Sequence, residues 1–468
     1  MLTLLLALAA AVALWPVLNL LYAGFKRGVA FSSFDLLSEY GGLTLEAADA
    51  VLKDDYKGTT VDLLNSSNIL AAQLEKNTED FVGRRWVRTL HVGRNHGVGA
   101  RAEMGTLPTA GNQQYENTYG AVRSQYARIQ LSGQTLEAMK NSKGAFIRAL
   151  DSEMKGATAD AMKDLNRQYW GTSDGVIATA ASNASTTITL TGGAAARQDW
   201  LRHLEEGFLI EIRDVSAANA LLSPAGGLGV RSVDYDAGTI VIENPDGTNA
   251  TAINVDAGDL ICRYGAYGVS DNSGNPNDGQ IEMTGLQTIV DDTDILHTID
   301  PASVPRWAAQ VYDNGGTARA VSENLLMETM MRGETRGGGV VDLIIGNGGV
   351  YRSYANLLSS LKRFTNTVEL KGGYSGIEIA TPRAGRGGKS NTTAFAWDPD
   401  APDGSLYGLD LDALSIAMLL DWDWMDKHGA VLVQVGDTDA YSATLKTYRD
   451  LVTTNRQAHW VIKDITES

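Results

Sequence analysis

Apolar residues recur every third or fourth position between Lys143 and Trp170: Phe146, Leu150, Met154, Ala157, Ala161, Leu165 and Tyr169, with charged residues between them. This period predicts a single helix of about 28 residues, some ~42 Å long at 1.5 Å per residue. Ser142 is placed to cap its start and Gly171 to stop it. Gly144 and Gly156 weaken it locally. The stripe drifts around the axis, so the helix is expected to cross a broad surface instead of closing a small bundle.

From Ser185 to Gly265 the period changes to two. STTITLTG, GFLIEIRD, GTIVIEN and DLICRYG are separated by turn residues such as Asn244-Pro245-Asp246-Gly247, which predicts short strands forming an inserted β barrel or sandwich. SDNSGNPNDG (270–279) follows as a surface loop. Upstream, RRWVRTLHV alternates as a strand, with Trp86, Arg88 and Leu90 on one side and Val87, Thr89 and His91 on the other. TYGAVRSQYARIQLSG returns as a second strand. Between them GRNHGVGARAEMGTLPTAGNQQYENT carries almost no large apolar side chain. Two strands closed by so long a polar, Gly-rich tip predict a hairpin projecting from the body, and loops of this length usually serve a function.

Before the hairpin, LTLEAADAVLKDD and SSNILAAQLEK predict short helices. Ala47, Val51 and Leu52 share one side of the first, and Ser66 or Ser67 caps the second. They hold too little apolar surface for a core of their own and are expected to pack as an arm on something else. Beyond Ile281 helix and strand signals mix. Trp307 and Val311 fall in one element. GTARAVSENLLMETMMRG predicts an amphipathic helix with Val321, Leu325, Leu326, Met330 and Met331 inward. VVDLII and AVLVQV (430–435) predict buried strands, VYRSYANLLSSLKRF a helix, and the closing YSATLKTYRDLVTTNRQAHWVIKDIT two strands around Thr453-Thr454-Asn455. The mixture predicts an α+β fold.

At 468 residues the chain has room for two or three cores. Fifty glycines against ten prolines fit the many tight turns. The net charge of −17 excludes a protein that grips DNA through its phosphates, though not one that encloses DNA without holding it. A single cysteine, Cys262, excludes a disulfide framework and any multi-cysteine metal site. Its apolar strand pattern predicts a buried, inert thiol. Met1 to Phe25 carries no charge and is followed by Lys26 and Arg27, a length that suffices to cross a bilayer. It lacks a basic n-region, and Pro16 would kink it. An anchor, a partner-contacting extension and an upstream start all remain open for it.

Candidate chemistry is sparse. GRGGKS (385–390) has Arg383 where a phosphate-binding loop needs Gly, and NTTAFAWDPD follows where a helix is required, so it is a basic loop. His91 and His96 lack metal-ligand spacing. DNSGNPNDG has its Gly misplaced for a calcium loop and no closing Glu. Asp291, Asp292 and Asp294 read as solvated loop carboxylates. No GxSxG elbow and no Ser–His–Asp spacing occurs. No catalytic residue, cofactor or metal is expected, and the protein is not expected to be an enzyme.

The order of these parts resembles the major capsid protein family of tailed double-stranded-DNA bacteriophages. LTLEAADAVLKDDYKGTTVDLLNSSNILAAQLEKN resembles the family's N-terminal arm, and FVGRRWVRTLHVGRNHG the opening of its extended loop. EMTGLQTIVDD, SVPRWAAQVYDNGG and DLIIGNGGVYRSYANLLSSLKRF with KGGYSGIEI are similar to its axial domain, and TLKTYRDLVTTNRQAHWVIKDI to its closing strands. The resemblance implies an α+β, Hong Kong 97 phage-type fold with a β-rich insertion. It is laid out as an apolar extension (1–42), N-terminal arm (43–82), extended loop (83–132), peripheral domain with spine helix (133–184), β-rich insertion (185–280), axial domain (281–440) and closing strands of the peripheral domain (441–468). It further implies a structural subunit that self-assembles, as hexamers and pentamers, into an icosahedral head enclosing double-stranded DNA. Portal, scaffolding and decoration proteins are the further partners implied, and the virion, assembled in the host cytoplasm, is the location. An encapsulin-like cargo shell and a membrane-anchored scaffold using residues 1–25 are the alternatives. Some members crosslink their shells through a loop lysine; residues 83–122 hold no Lys, so that bond is not expected.

Overall fold

The computed structural model describes residues 69–78, 81–82, 85–134, 143–191, 201–270, 278–360, 367–371, 374–380, 392–425, 431–436 and 438–467. The expectations for residues 1–68, for GRGGKS and for most of DNSGNPNDG lie outside the described residues.

The long helix runs from Lys143 to Trp170, as its apolar period predicts. Its two ends are treated differently by the body. Leu165 to Trp170 are six buried residues in succession, whereas none from Ser152 to Asp164 is fully buried. The stripe residues Met154, Ala157 and Ala161 are only half covered. The helix is therefore anchored at its C-terminal turns and leaves much of its length near the surface.

Two sheets share the body. In the first, Ala440–Thr453 pairs antiparallel with Leu414–Trp424 and Val433–Gln434 on one side and with Arg123–Ser132 on the other. Glu75–Asn77, just after the short helix Ile69–Gln73, adds a parallel edge. The second sheet has seven strands in the order Gln310–Tyr312, Trp460–Ile462, Leu406–Leu409, Leu343–Gly346, Thr392–Trp397, Ser375–Ala380, Thr367–Glu369. Helices Glu323–Gly337 and Gly348–Ser360 cover one face, where Leu326, Met330, Val350 and Tyr354 meet Ile344, Phe395 and Trp460. The other face meets the buried end of the long helix: Leu343, Ile345 and Leu409 join Leu165, Tyr169 and Trp170. Alternate residues of Leu343–Gly346 thus enter two cores, which is why its sequence is apolar throughout. Ser322 caps the helix Glu323–Gly337 through a hydrogen bond accepted from the Leu325 amide, and Gly338, at φ 68°, ends it in the left-handed conformation.

The alternating region forms a closed barrel. Leu228–Asp234, Thr239–Glu243, Thr187–Leu190, Val176–Ala184, Leu260–Arg263 and Leu209–Asp214 pair in that order, and Leu209–Asp214 pairs back onto Leu228–Asp234. Its core, including Ile188, Leu190, Leu201, Ile210, Ile212, Val230 and Ile240, is separate from the cores of the body.

Several expectations need correction. The barrel begins with Val176–Ala184, before residue 185, because the chain enters it directly after the helix. The returning strand is two strands: Gln114–Ala121 pairs with Arg85–Gly93, and after Val122 Arg123–Ser132 joins the body sheet. Trp307 lies in a 3-10 turn and Val311 in a separate strand. Met331 is 55% exposed, since Thr329, Met330 and Gly333 form the inner face. Of AVLVQV (430–435), the described residues 431–435 hold only Val433–Gln434 as a strand, on a sheet edge and not buried. The closing residues divide between sheets, Ala440–Thr453 in one and Trp460–Ile462 in the other.

The barrel's first and last strands are hydrogen-bonded to each other, Ile261 opposite Ala178, so its ends leave side by side. With its own core and adjacent ends, a fragment of residues 172–268 is expected to unfold cooperatively on heating, monitored by circular dichroism. A fragment without a cooperative transition contradicts this independence.

Candidate functional site

The hairpin has a fixed root and an uncovered tip. At the root Trp86 is fully buried against Ala417 and Val452. Gly120 faces it across the strand pair; a Cβ there would lie 2.2 Å from the indole ring, so only glycine admits the tryptophan. The His297 ring stands edge-on to Trp86 at 4.6 Å, and its carbonyl accepts from the Thr118 hydroxyl at 2.8 Å. Beyond Val122, Arg123 is buried and forks onto Asp278, 2.8 Å to Oδ1 and 2.9 Å to Oδ2, while also donating to the Gln280 carbonyl at 2.8 Å. Burial pushes the Asp278 carboxyl up, but the Arg123 hydrogen bonds and charge and the Ser270 hydroxyl bring it below its ordinary range.

The tip, residues 94–113, is ordered by its own polar groups. Asn95 Oδ1 accepts from the Gly97 amide at 2.6 Å, Arg101 donates to the Thr106 carbonyl at 3.0 Å, and His91 bonds Gln113 at 2.6 Å. Its apolar side chains have no cover: Val98 is 68% exposed, Leu107 81% and Met104 fully so.

Beside the root lies a cleft of about 580 Å³ lined by residues including Asp174, Asp278, Thr284, Asp294, Ile295 and His297. The His297 side chain is 6% exposed, and neither ring nitrogen has a hydrogen-bond partner among the described residues. Burial, then the charges of Arg456, Arg123 and Arg88, push its pKa down to about 3, so the imidazole is neutral. Asp450, 3.9 Å away, is pushed up to about 6 by burial, against the Arg123 charge and the Thr284 amide.

A second buried polar junction ties the long helix to the body. Arg167 donates to both carboxylate oxygens of Glu282, and its Nε to Asp164 at 3.1 Å. Asn166 reaches Asp398 and Asp400. Asp398 is fully buried, and burial, despite the Asp400 amide, pushes it up to about 7.

The residues singled out from sequence are scattered. Asp291 accepts from the Thr293 amide at 2.7 Å and the Asp294 amide at 2.8 Å, which makes it a turn-former. His91 tilts onto Tyr115, and His96 is exposed in the tip. Cys262 is fully buried, and burial, reinforced by the Glu211 charge, pushes its thiol up. Asp278, expected in a surface loop, is instead buried on Arg123. The residues that matter here, Arg123, Asp278, Arg167, Glu282 and His297, lie more than 100 positions from their partners. Only Trp86, a large residue in an alternating strand, left a readable signal. Among the described residues no helix is long and apolar enough to cross a membrane.

No family model matches the chain, and no curated protein matches it in sequence. Among solved structures it is similar to the capsid subunit of cyanophage A-1(L), at 11% identity and a TM-score of 0.50, over 91% of this chain and 99% of that one. The holo-SrpI encapsulin of Synechococcus elongatus aligns at 8% identity and a TM-score of 0.43, over 90% of this chain and 96% of the other. A native GTA particle capsid aligns at 9% and 0.43, over 90% and 98%. The fold is the α+β, Hong Kong 97-type capsid fold of tailed phages.

Two outcomes test this electrostatic architecture. Arg123→Ala leaves Asp278 buried without its cation and is expected to cost about 3–5 kcal/mol; amide exchange should quicken across Arg123–Ser132 more than in the barrel. Asp398 binds its proton more tightly in the folded chain (about 7) than unfolded (about 4). Its contribution therefore destabilises the fold increasingly as pH rises from about 4 to about 7, and fully above that. Asp398→Asn is expected to raise stability by about 2 kcal/mol at pH 7.5, the gain fading towards pH 4 in denaturant melts.

Proposed function

We propose that the chain is a structural major capsid subunit that self-assembles into an icosahedral phage head around double-stranded DNA. The observation that carries the reading is the hairpin: a root locked into the body by Trp86 and Arg123, and a tip that holds Val98, Met104 and Leu107 in solvent. A soluble monomer gains nothing from such an arm, whereas a shell subunit needs apolar surface that only a neighbour covers. The long helix with its half-covered stripe offers further surface of the same kind. The net charge of −17 suits a wall that contains DNA without binding it, since tight phosphate contacts would hinder its release. The role is structural, without catalysis, and hexamers and pentamers of the chain, a portal, and scaffolding or decoration proteins are its partners. The virion is its location, after assembly in the host cytoplasm. The proposed division keeps an arm at 43–82 and the axial domain at 281–440, while the extended loop ends at Val122, where Arg123–Ser132 joins the body sheet.

Electron microscopy of the purified full chain should show closed shells, and co-expressed particles should protect DNA from nuclease. Deleting Gly93 to Asn112 removes little buried apolar surface, so the variant should keep its circular dichroism spectrum and melting temperature yet form no particles. Regular shells from that variant would contradict the role given to the hairpin.

A further inference from the structure

We propose that a seam between barrel and body is a proton-operated latch, closed while the His203 imidazole is neutral and opened when that ring takes a proton. The latch belongs to the single chain and does not depend on assembly. The barrel is tied to the body at its neck, where the Gly285 amide donates to Ser173 at 3.0 Å and the Thr288 hydroxyl to the Thr172 carbonyl at 2.9 Å. Away from the neck, a short 3-10 turn, Leu201–His203, brings it against the body again. Leu201 and Leu204 enter the barrel core, which leaves Arg202, His203 and Glu205 to face outward. Arg202 stands 3.6 Å from Asp403, His203 3.9 Å from Asp400, and Glu205 3.8 Å from Lys163 on the long helix. The barrel core and the body cores do not join across this seam. Parting it therefore exposes polar groups and sacrifices little apolar burial.

The contact between Arg202 and His203 makes the seam sensitive to protons. Arg202 Nε donates to His203 Nε2 at 3.1 Å. A guanidinium only donates, so Nε2 is the acceptor and the ring proton sits on Nδ1, the nitrogen that faces Asp400. A protonated imidazole has no acceptor left. Its Nε2–H would meet the Arg202 N–H head on, with the Arg167 charge of the long helix close by. Burial, then the charges of Arg202 and Arg167, hold the ring's pKa well below its ordinary value. Opening returns the ring to water, where it takes a proton near about pH 6.5. Below that pH the open state gains a proton and the closed state does not, so opening is favoured by up to about tenfold per pH unit.

The carboxylates around the ring have their own engagements. Asp400 is beyond hydrogen-bond distance of the ring, receives Asn166, and is faced by the same two arginines. Burial raises its pKa, so where it titrates it holds a proton better in the closed state and opposes opening. Asp398 is fully buried by the body itself, against Asn166, and its environment does not depend on the seam. Asp403 accepts from Asn347 at 2.6 Å besides facing Arg202.

Hydrogen exchange on the full-length chain tests the latch, with each amide rate divided by its intrinsic rate at that pH. Protection of residues 201–206 and 398–404 should fall at least threefold between pH 7.5 and pH 5.5, about tenfold being the limit for an unopposed imidazole. Leu209–Asp214, in the barrel wall, should stay within about twofold. H203Q keeps an oxygen that accepts from Arg202 but binds no proton, so its seam should change less than twofold. D400N should open at least as far as wild type. A wild-type seam indifferent to pH, an H203Q seam that still opens, or a response lost in D400N overturns the latch. A second measurement needs no variant: deuterium uptake at the imidazole Cε1, read by mass spectrometry, should give His203 a midpoint clearly below about 6.5. A midpoint at that value with seam protection unchanged also overturns it.

Discussion

One short connector holds the molecule together. Residues 278–285 follow the barrel and are gripped in turn by the strand that leaves the hairpin, the long helix and the closing strand. Asp278 and Gln280 receive Arg123 from the strand that leaves the hairpin. Glu282 receives Arg167 from the long helix, and the Met283 amide donates to Gln168 on the same helix at 3.2 Å. The Thr284 amide donates to Asp450 on the closing strand at 2.9 Å, and the Gly285 amide to Ser173 at 3.0 Å. Both arginines are at least nine-tenths buried, where a lone guanidinium would be very costly. The connector must therefore be in place for hairpin, helix and sheet to keep their relative positions.

That arrangement separates stiffness from stickiness. Ion pairs and a buried tryptophan fix the direction in which the hairpin leaves, while its tip buries almost nothing of itself. A stiff arm loses little conformational entropy when it meets a partner, so modest contacts at the tip count in full. The barrel stands apart from this logic. It has its own core and enters and leaves through two paired strands, so it sits on the fold without carrying its load.

What the sequence revealed, and what it hid, follows from range. The long helix was legible because its period runs unbroken for 28 residues, and the hairpin and barrel strands because short alternating runs are bounded by turn residues. Local period says nothing of which sheet a strand joins, so the switch at Val122 and the division of the closing strands were invisible. Met331 was misplaced because Gly333, which carries no hydrophobic signal, takes the inner face against Trp460. The ion pairs were hidden most completely. Arg123 and Arg167 look like surface residues until carboxylates from over 100 positions away are brought to them. His297 stayed hidden for the same reason.

The division of the closing strands has a temporal consequence. Ala440–Thr453 lies between strands of one sheet, and Trp460–Ile462 between strands of the other. Both are made by the ribosome after all of their neighbours, so a nascent chain carries two unfinished sheets until residue 462 has emerged. The hairpin has every strand it needs by residue 121 and the barrel by residue 263. Synthesis itself thus works as a clock: the body cannot present a finished surface to a sibling until almost all of this sequence is out.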